Sequence, residues 1–370
     1  MSAGSIAKGV AEAEEIDPLG PNVVLDRSLM AAFPEGSNVL EVTPSGVSAW
    51  VKTVKIDIQL PDGTVKSYFK KGAPGHRGLG MMEGTYMSEK LIHSFIPEHV
   101  PAPLAFGSYE SLPNMHYYIC DYGDMTDDLP DPARFGQTFA KLHLNSMGKS
   151  PTGRYGFPLT THLAFVPNDN TWTDTWSEWF SNAMKKMLEE EERSHGQDDK
   201  LDQLKEPLFA KVIPGLLRPM ETGSNRIEPC LCHSDVWPGN IKPNANNGEV
   251  MMLDSCAFWG HHECTKPTSI SMSELKDDSN HQMTNLADLG CCRAPRYGMG
   301  RAYVEEYFKC IPPSKPEEDF EDRLALYAMR YDLLHSALFP KEPQFRATAM
   351  VEMQRLVDKY PEGFQEPAVR

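Results

Sequence analysis

The run CLCHSDVWPGNIKPNANNGEVMMLDSC, residues 230–256, constrains this chain more than any other stretch. It places His233-x-Asp235, then Asn240 five positions after the aspartate, and closes the apolar run 250–253 with Asp254. An acid, an amide and a second acid in this order are what phosphoryl transfer of the kinase type needs. Such a site works mainly by positioning and charge neutralisation. In that reading the Asp235 carboxylate accepts the proton of an attacking hydroxyl. The side-chain oxygen of Asn240 and the carboxylate of Asp254 suit Mg2+, a hard cation that takes oxygen ligands and bridges phosphates. A bland reading stands beside it: Asp235 caps a turn, Asn240 supports the following loop, and Asp254 ends a strand. His-x-Asp alone has little weight, but with Asn240 and the β-like run ending in Asp254 the pattern becomes specific.

The whole chain bounds what can surround this stretch. Its 370 residues suffice for a large core divided into two lobes. Hydrophobic content of 40% and charged content of 24% are those of an ordinary globular protein. No apolar run approaches the roughly 20 residues of a membrane span. The opening MSAGSIAKGVAEAEEIDPLG lacks the features of a signal or transit peptide and reads as a frayed tail. A net charge of −16 argues against nucleic acid as a partner, since phosphate neutralisation needs basic surface. The eight cysteines, at 120, 230, 232, 256, 264, 291, 292 and 310, match neither a disulfide ladder nor a CxxC zinc pair. Several sit in apolar runs, and a reducing cytoplasm is the natural reading.

In chain order, residues 39–71 read as three antiparallel strands. The first turn holds Gly46 and Ser48, the second is Pro61-Asp-Gly63, and the strand between alternates with period two. The loop with Gly46 and Ser48 is either a phosphate-facing turn or a plain hairpin turn. The third strand ends in Lys70 and Lys71, and a kinase site needs one lysine there for the α- and β-phosphates. Alternation puts Phe69 and Lys71 on one face and Lys70 on the other; solvated edge-strand lysines are the bland alternative. Residues 72–80 read as a flexible glycine-rich loop, and 81–95 as a helix whose available acids are Glu83 and Glu89.

Two more strands follow near 100–109 and 115–123, the second ending in a polar switch. There the main-chain groups of Asp121, Tyr122 and Gly123 form a candidate hinge for an adenine edge. A helix over 131–143 has an aspartate N-cap and a proline at its first position. Trp172, Trp176 and Trp179 recur at helical spacing, as a core stripe does, and 208–220 reads as helical. Two histidines and an acid at 261–263 do not have the spacing of a helical zinc site. Residues 264–285 are polar and without period, and read as a disordered insertion. Helical patterning resumes at 286–290, 300–308, 322–339 and 344–360.

The assembled pattern resembles the fructosamine/ketosamine 3-kinase (protein-ribulosamine 3-kinase) family, within the protein-kinase-like and aminoglycoside-phosphotransferase-like folds. That family's stretch HGDLWxGN, apolar run, DPAxxYGHxExE stands here as HSDVWPGN…MMLDSCAFWGHHE. Its aromatic-x-Lys strand end matches Phe69-Lys70-Lys71. The stretches DLPDPARFGQTFAKLH, YGFPLTTH, TWTDTWSEWF and EEDFEDRLALYAMRYDLLHSALF resemble its filamentous-fungal branch. The resemblance covers nearly all of the chain from about residue 39. It departs in three places: Thr85 falls in the helix-glutamate slot, Ser234 replaces a glycine, and 264–285 intervenes before the next helix.

The resemblance implies a two-lobed protein-kinase-like α+β fold. Residues 1–38 are a tail and lead-in, 39–120 an N-lobe with an antiparallel sheet and one helix, and 121–370 a mainly helical C-lobe. It implies ATP and Mg2+ as cofactors. Asp235 is then the proton acceptor and His233 the second catalytic residue, Lys71 contacts ATP phosphates with Gly46 and Ser48 as further cofactor-binding residues, Asp121–Gly123 form the hinge, and Asn240 and Asp254 hold the metal. The implied reaction phosphorylates the sugar 3-hydroxyl of ketosamine adducts of lysine, in protein deglycation, with no nucleic acid or membrane as partner. Another small-molecule phosphotransferase of the same fold, for choline or an aminoglycoside-like acceptor, and a catalytically weakened pseudokinase are the rival readings.

Overall fold

The computed structural model describes residues 25–46, 51–223, 226–262 and 298–365. Ser48, the insertion at 264–285, the helical pattern at 286–290 and the N-terminal tail to residue 24 lie outside these. The chain folds into two compact units, each assembled from separate segments.

The first unit comprises Met1–Asp128, Leu159–Pro167 and Lys242–Ala257. Its centre is a five-stranded antiparallel sheet: β1 (Asn38–Pro44), β2 (Lys52–Gln59), β3 (Val65–Pro74), β4 (Pro103–Ser108) and β5 (Met115–Asp121), in the order β1-β2-β3-β5-β4. Alternation sorts the side chains to two faces. One face packs Val54, Ile56, Tyr68, Tyr117 and Ile119 against Leu25, Leu29 and Phe33 of the lead-in. The other packs Ala73, Tyr118 and Cys120 with Met82 of helix α1 (Gly75–Phe95).

Asp26 ties the lead-in down. Its carboxylate accepts the main-chain N–H of Ser28 at 2.9 Å, Ser111 at 2.8 Å and Glu110 at 3.1 Å. Burial alone would raise its pKa, but the hydrogen bonds from Ser111 and Ser28 outweigh that and hold it well below the usual carboxylate range.

The late segment 242–257 belongs to this unit by its bonds. Thr126 N–H donates to the Pro243 carbonyl at 3.0 Å, and the His99 ring meets the Val250 carbonyl at 2.8 Å. Thr161 Oγ donates to the Cys256 carbonyl at 3.2 Å.

The second unit comprises Leu129–Pro158, Asn168–Ile241 and Phe258–Arg370, and is mainly helical. Helix α2 (Pro132–Ser146) starts as expected: the Asp131 side chain accepts the Arg134 N–H at 3.0 Å, with proline at the first position. Helix α3 (Trp176–His195) is capped by Thr175 and buries Trp176 and Trp179, which stack at 5.0 Å between centroids. Trp172 precedes the cap, so the aromatic stripe begins one turn later than its spacing suggests. Residues 208–221 form three short helical pieces, Leu208–Val212, Ile213–Leu217 and Arg218–Glu221, rather than one regular helix.

Helix α4 (Arg301–Phe308) packs on α2 so closely that a Cβ on Gly136 would lie 2.5 Å from the Tyr307 nitrogen. His143 is buried there, its Nδ1 at 2.6 Å from the Tyr307 hydroxyl. Helix α5 (Phe320–Leu338) is buried around nearly its whole circumference, against α3 and the final helix α6 (Pro343–Lys359). Its buried Asp322 is paired with Arg355 at 2.7 Å and with Lys359.

The glycine-rich stretch 72–80 is the clearest departure from expectation. It is not a loop: β3 runs on to Pro74 and α1 begins at Gly75. Gly75 turns the chain at φ +78, with its N–H on the Asn114 carbonyl at 2.7 Å. The later glycines serve close approach, since a Cβ on Gly78 would lie 2.5 Å from the Ala73 carbonyl oxygen. Tertiary packing here overrides low helix propensity.

Candidate active site

Lys70 and Lys71 point to opposite faces, as alternation requires, but neither is solvated. β3 is a central strand between β2 and β5, and the two side chains are 0% and 4% exposed. Lys70 Nζ donates to the Tyr109 hydroxyl at 2.7 Å, and burial pushes its pKa down to about 7. Lys71 faces α1. Its ammonium donates to Thr85 Oγ1 at 2.9 Å, forms an ion pair with Asp254, and lies over the Tyr118 ring. The two residues expected at a phosphate-binding centre therefore meet across 183 positions of chain.

Thr85, in the helix-glutamate slot, is in direct contact with Lys71. Glu89, one turn further along α1, is 2% exposed. It accepts the main-chain N–H of Asp254 at 2.7 Å and the Tyr118 hydroxyl. Burial pushes the Glu89 carboxyl up to about 7, against the lowering effects of the Tyr118 bond and the nearby Lys71 charge. Ser88 on the same face accepts the Ala257 N–H at 2.9 Å. The Asp254 carboxylate is half exposed and its residue sits at φ +52.

The other described residues predicted in this unit sit at strand ends. Gly46 turns at φ +74 after β1, where the Ser45 N–H donates to the Thr53 carbonyl at 3.3 Å. Asp121 closes β5 and pairs with Lys66 at 2.7 Å. The N–H groups of Asp121 and Tyr122 are taken by the carbonyls of Ala102, at 2.9 Å, and Ser67, at 3.1 Å. An adenine edge at this stretch is left with its other main-chain groups, such as those of Gly123.

In the second unit, residues 233–240 form a loop after the short strand Cys230–Cys232. His233 is buried, and the Asp235 N–H donates to its Nδ1 at 3.3 Å. Ser234 sits at φ +71, the left-handed backbone for which glycine is suited, and its carbonyl accepts the Tyr331 hydroxyl at 2.6 Å. The Asn240 amide nitrogen donates to the Asp235 carboxylate at 2.8 Å and to its main-chain carbonyl at 2.9 Å. The amide is thereby oriented with its oxygen as the group left to bind a cation, a hard donor like the Asp254 carboxylate. His261 of the following stretch is buried with its Nε2 at 2.8 Å from Ser314 Oγ, and burial keeps it and His262 neutral.

Residues 51–285 match the family model described as fructosamine kinase, which is more than half of the chain. The chain belongs to the fructosamine kinase family. A chloroplastic protein-ribulosamine 3-kinase of Oryza sativa subsp. japonica is 27% identical over 301 residues, spanning 80% of this chain and 72% of that protein. The ketosamine-3-kinase of Mus musculus is 29% identical over 183 residues, 49% of this chain and 48% of its own.

Among solved structures, a candidate fructosamine-3-kinase from Haemophilus somnus 129PT aligns with TM-score 0.56 at 15% identity, over 87% of this chain and 91% of that one. A thermostable mutant of aminoglycoside phosphotransferase APH(4)-Ia, solved with AMP-PNP and hygromycin B, aligns with TM-score 0.53 at 13% identity, over 92% and 100%. The fold is thus the two-lobed kinase-like one, with an antiparallel sheet in its first unit and helices in its second.

Sequence reasoning named Glu89 only as an available acid and gave Tyr118 no role. The signal was present in part, because residues four apart share a helix face and Glu89 follows Thr85 by that interval. What the sequence lacks is any mark that Asp254 folds back onto this face.

Proposed function

We propose that this protein is an ATP- and Mg2+-dependent ketosamine 3-kinase acting on ribulosamine or fructosamine adducts of lysine, on proteins or as small molecules. The observation that carries the reading is the Asp235–Asn240 bond at 2.8 Å, which turns the H-x-D-x-x-x-x-N pattern into an oriented carboxylate with an amide beside it. The Lys71–Asp254 ion pair supports it from the other end of the motif set.

In this mechanism the Asp235 carboxylate takes the proton of the sugar 3-hydroxyl as its oxygen bonds to the γ-phosphorus. The bond from that phosphorus to the β,γ-bridging oxygen breaks, and ADP leaves. His233 acts as a positioning residue by holding the Asp235 main chain. Lys71 would bind phosphate oxygens with Gly46 and Ser48 as further phosphate-side residues, and Asp121–Gly123 would serve the adenine. Asn240 and Asp254 would hold Mg2+, which when bound would neutralise charge on the phosphates. The phosphorylated adduct decomposes and returns the amine, which makes the activity one of repair. Buried cysteines at 120, 230, 232 and 256 suit a reducing cytoplasm. No helix among the described residues is long and apolar enough to cross a membrane.

The test is ADP release from Mg-ATP with ribulose-lysine, fructose-lysine, choline and an aminoglycoside compared, and Asp235→Asn as the blank. Turnover confined to the sugar-lysines, falling at least roughly 100-fold in the variant while nucleotide binding persists, is the expected result. Turnover on choline or the aminoglycoside instead would discard the repair role. Silence on all four with nucleotide bound would leave a pseudokinase.

A further inference from the structure

We infer that Glu89 is a positioning residue that sets Asp254 for cation binding; the inference rests on the phosphotransfer reading above. Two independent observations carry it. The first is the hydrogen bond from the Asp254 N–H to the Glu89 carboxylate at 2.7 Å, whose other oxygen is held by the Tyr118 hydroxyl. A carboxylate fixed by one donor and offered to another is a rigid acceptor, and the Glu89 end of this bond is buried in the first unit. The second is the backbone of Asp254 itself, at φ +52. A non-glycine residue there costs on the order of 1 kcal/mol and persists only where its surroundings over-determine it. The bond to Glu89 supplies that constraint at the residue whose side chain is to meet the metal.

Helix geometry explains why a carboxylate at 89 does work that one at 85 would not. The two positions share a face, with 89 about 6 Å further along the axis. Position 85 reaches the Lys71 ammonium, and there a hydroxyl accepts one of its hydrogens at 2.9 Å. Position 89 reaches past the lysine to the main chain of residue 254. The helix thus divides two tasks between neighbouring turns: Thr85 steadies the phosphate-binding lysine and Glu89 steadies the metal-binding aspartate. Ser88, beside Glu89, extends the same docking to the Ala257 N–H at 2.9 Å.

The two tasks separate by measurement. Binding of AMP-PNP to the full chain is titrated with and without MgCl2, alongside turnover as a function of Mg2+, for the wild type, Glu89→Leu, Glu89→Gln and Thr85→Val. Glu89→Leu is expected to raise the Mg2+ needed for half-maximal turnover by roughly 10-fold and to abolish the tightening of nucleotide binding by Mg2+. Metal-free binding should stay within about 2-fold. Glu89→Gln retains an oxygen for the Asp254 N–H and should stay close to wild type. Thr85→Val is equally buried and lies one turn away; it should weaken nucleotide binding alike with and without Mg2+. Should the leucine variant not fold, Glu89→Asp, which withdraws the carboxylate by one methylene, carries the same expectation. An unchanged Mg2+ requirement in folded Glu89→Leu or Glu89→Asp overturns the inference, as does a metal defect of equal size in Thr85→Val. Failure of the wild type to bind Mg-nucleotide would instead strike the kinase reading itself.

Discussion

Lys70 and Lys71 are neighbours in sequence with opposite circumstances, and they show what residue-scale chemistry follows from one step along a strand. Lys71 has Asp254 and Thr85 to balance its charge. Lys70 is enclosed by the apolar face of the sheet with a tyrosine hydroxyl at 2.7 Å, and burial holds its pKa near 7, about 7 against an ordinary 10.5. A base whose pKa is depressed on folding contributes stability that is fully present above the unfolded value and is lost as pH falls through the folded one. Folding stability should therefore decline from about pH 10 to pH 7 by as much as ~1 kcal/mol per unit from this group. Lys70→Met removes the buried charge, so it should melt higher than wild type at pH 7 and converge with it toward pH 10, with turnover within about 2-fold. Lys71→Met should lose nearly all turnover. Thermal melts at pH 7 and 9.5, with activity beside them, check the pair; a Lys70→Met protein less stable at pH 7 would contradict the account.

At the scale of elements, α1 is the part that propensity misjudges. Four glycines, at 75, 78, 80 and 84, lie in a helix that presents Thr85, Ser88 and Glu89 to their partners. Each interior glycine costs on the order of 1 kcal/mol relative to alanine, so something must offset it. Close packing does: the Ala73 carbonyl oxygen would be 2.5 Å from a Cβ at position 78. Gly78→Ala, favourable in an isolated helix, should here destabilise the protein by about 1–3 kcal/mol. It should also lower turnover, because the backbone must part and carry residues 85 and 89 with it. A urea midpoint at or above wild type would show that the contact yields at no cost.

The whole molecule is two units whose chain segments interleave. Asp254 returns to the first unit after more than a hundred residues elsewhere, so a fragment ending at Asp128 lacks it together with Leu159–Pro167. In that fragment Glu89 loses the Asp254 N–H, and His99 loses the Val250 carbonyl. A buried carboxylate stripped of a donor costs about 1–3 kcal/mol, a large share of a domain's stability. Residues 25–128 expressed alone should show no cooperative melt by circular dichroism, and a sharp transition would refute the interleaved view. Local grammar in the sequence determined much of the rest. Alternation marked the strands and the opposed lysines, the Asp131-Pro132 cap marked α2, and the spacing from Asp235 to Asn240 marked the loop that their hydrogen bond closes. These are short-range regularities, dictated by backbone geometry within a few residues. Tertiary structure alone decided that glycines 75–84 form a helix, that β3 is central and its lysines buried, and that Glu89 rather than Glu83 meets Asp254. Those outcomes depend on which distant surfaces exclude water and which main-chain groups they leave to be paired, and no window of local sequence encodes that.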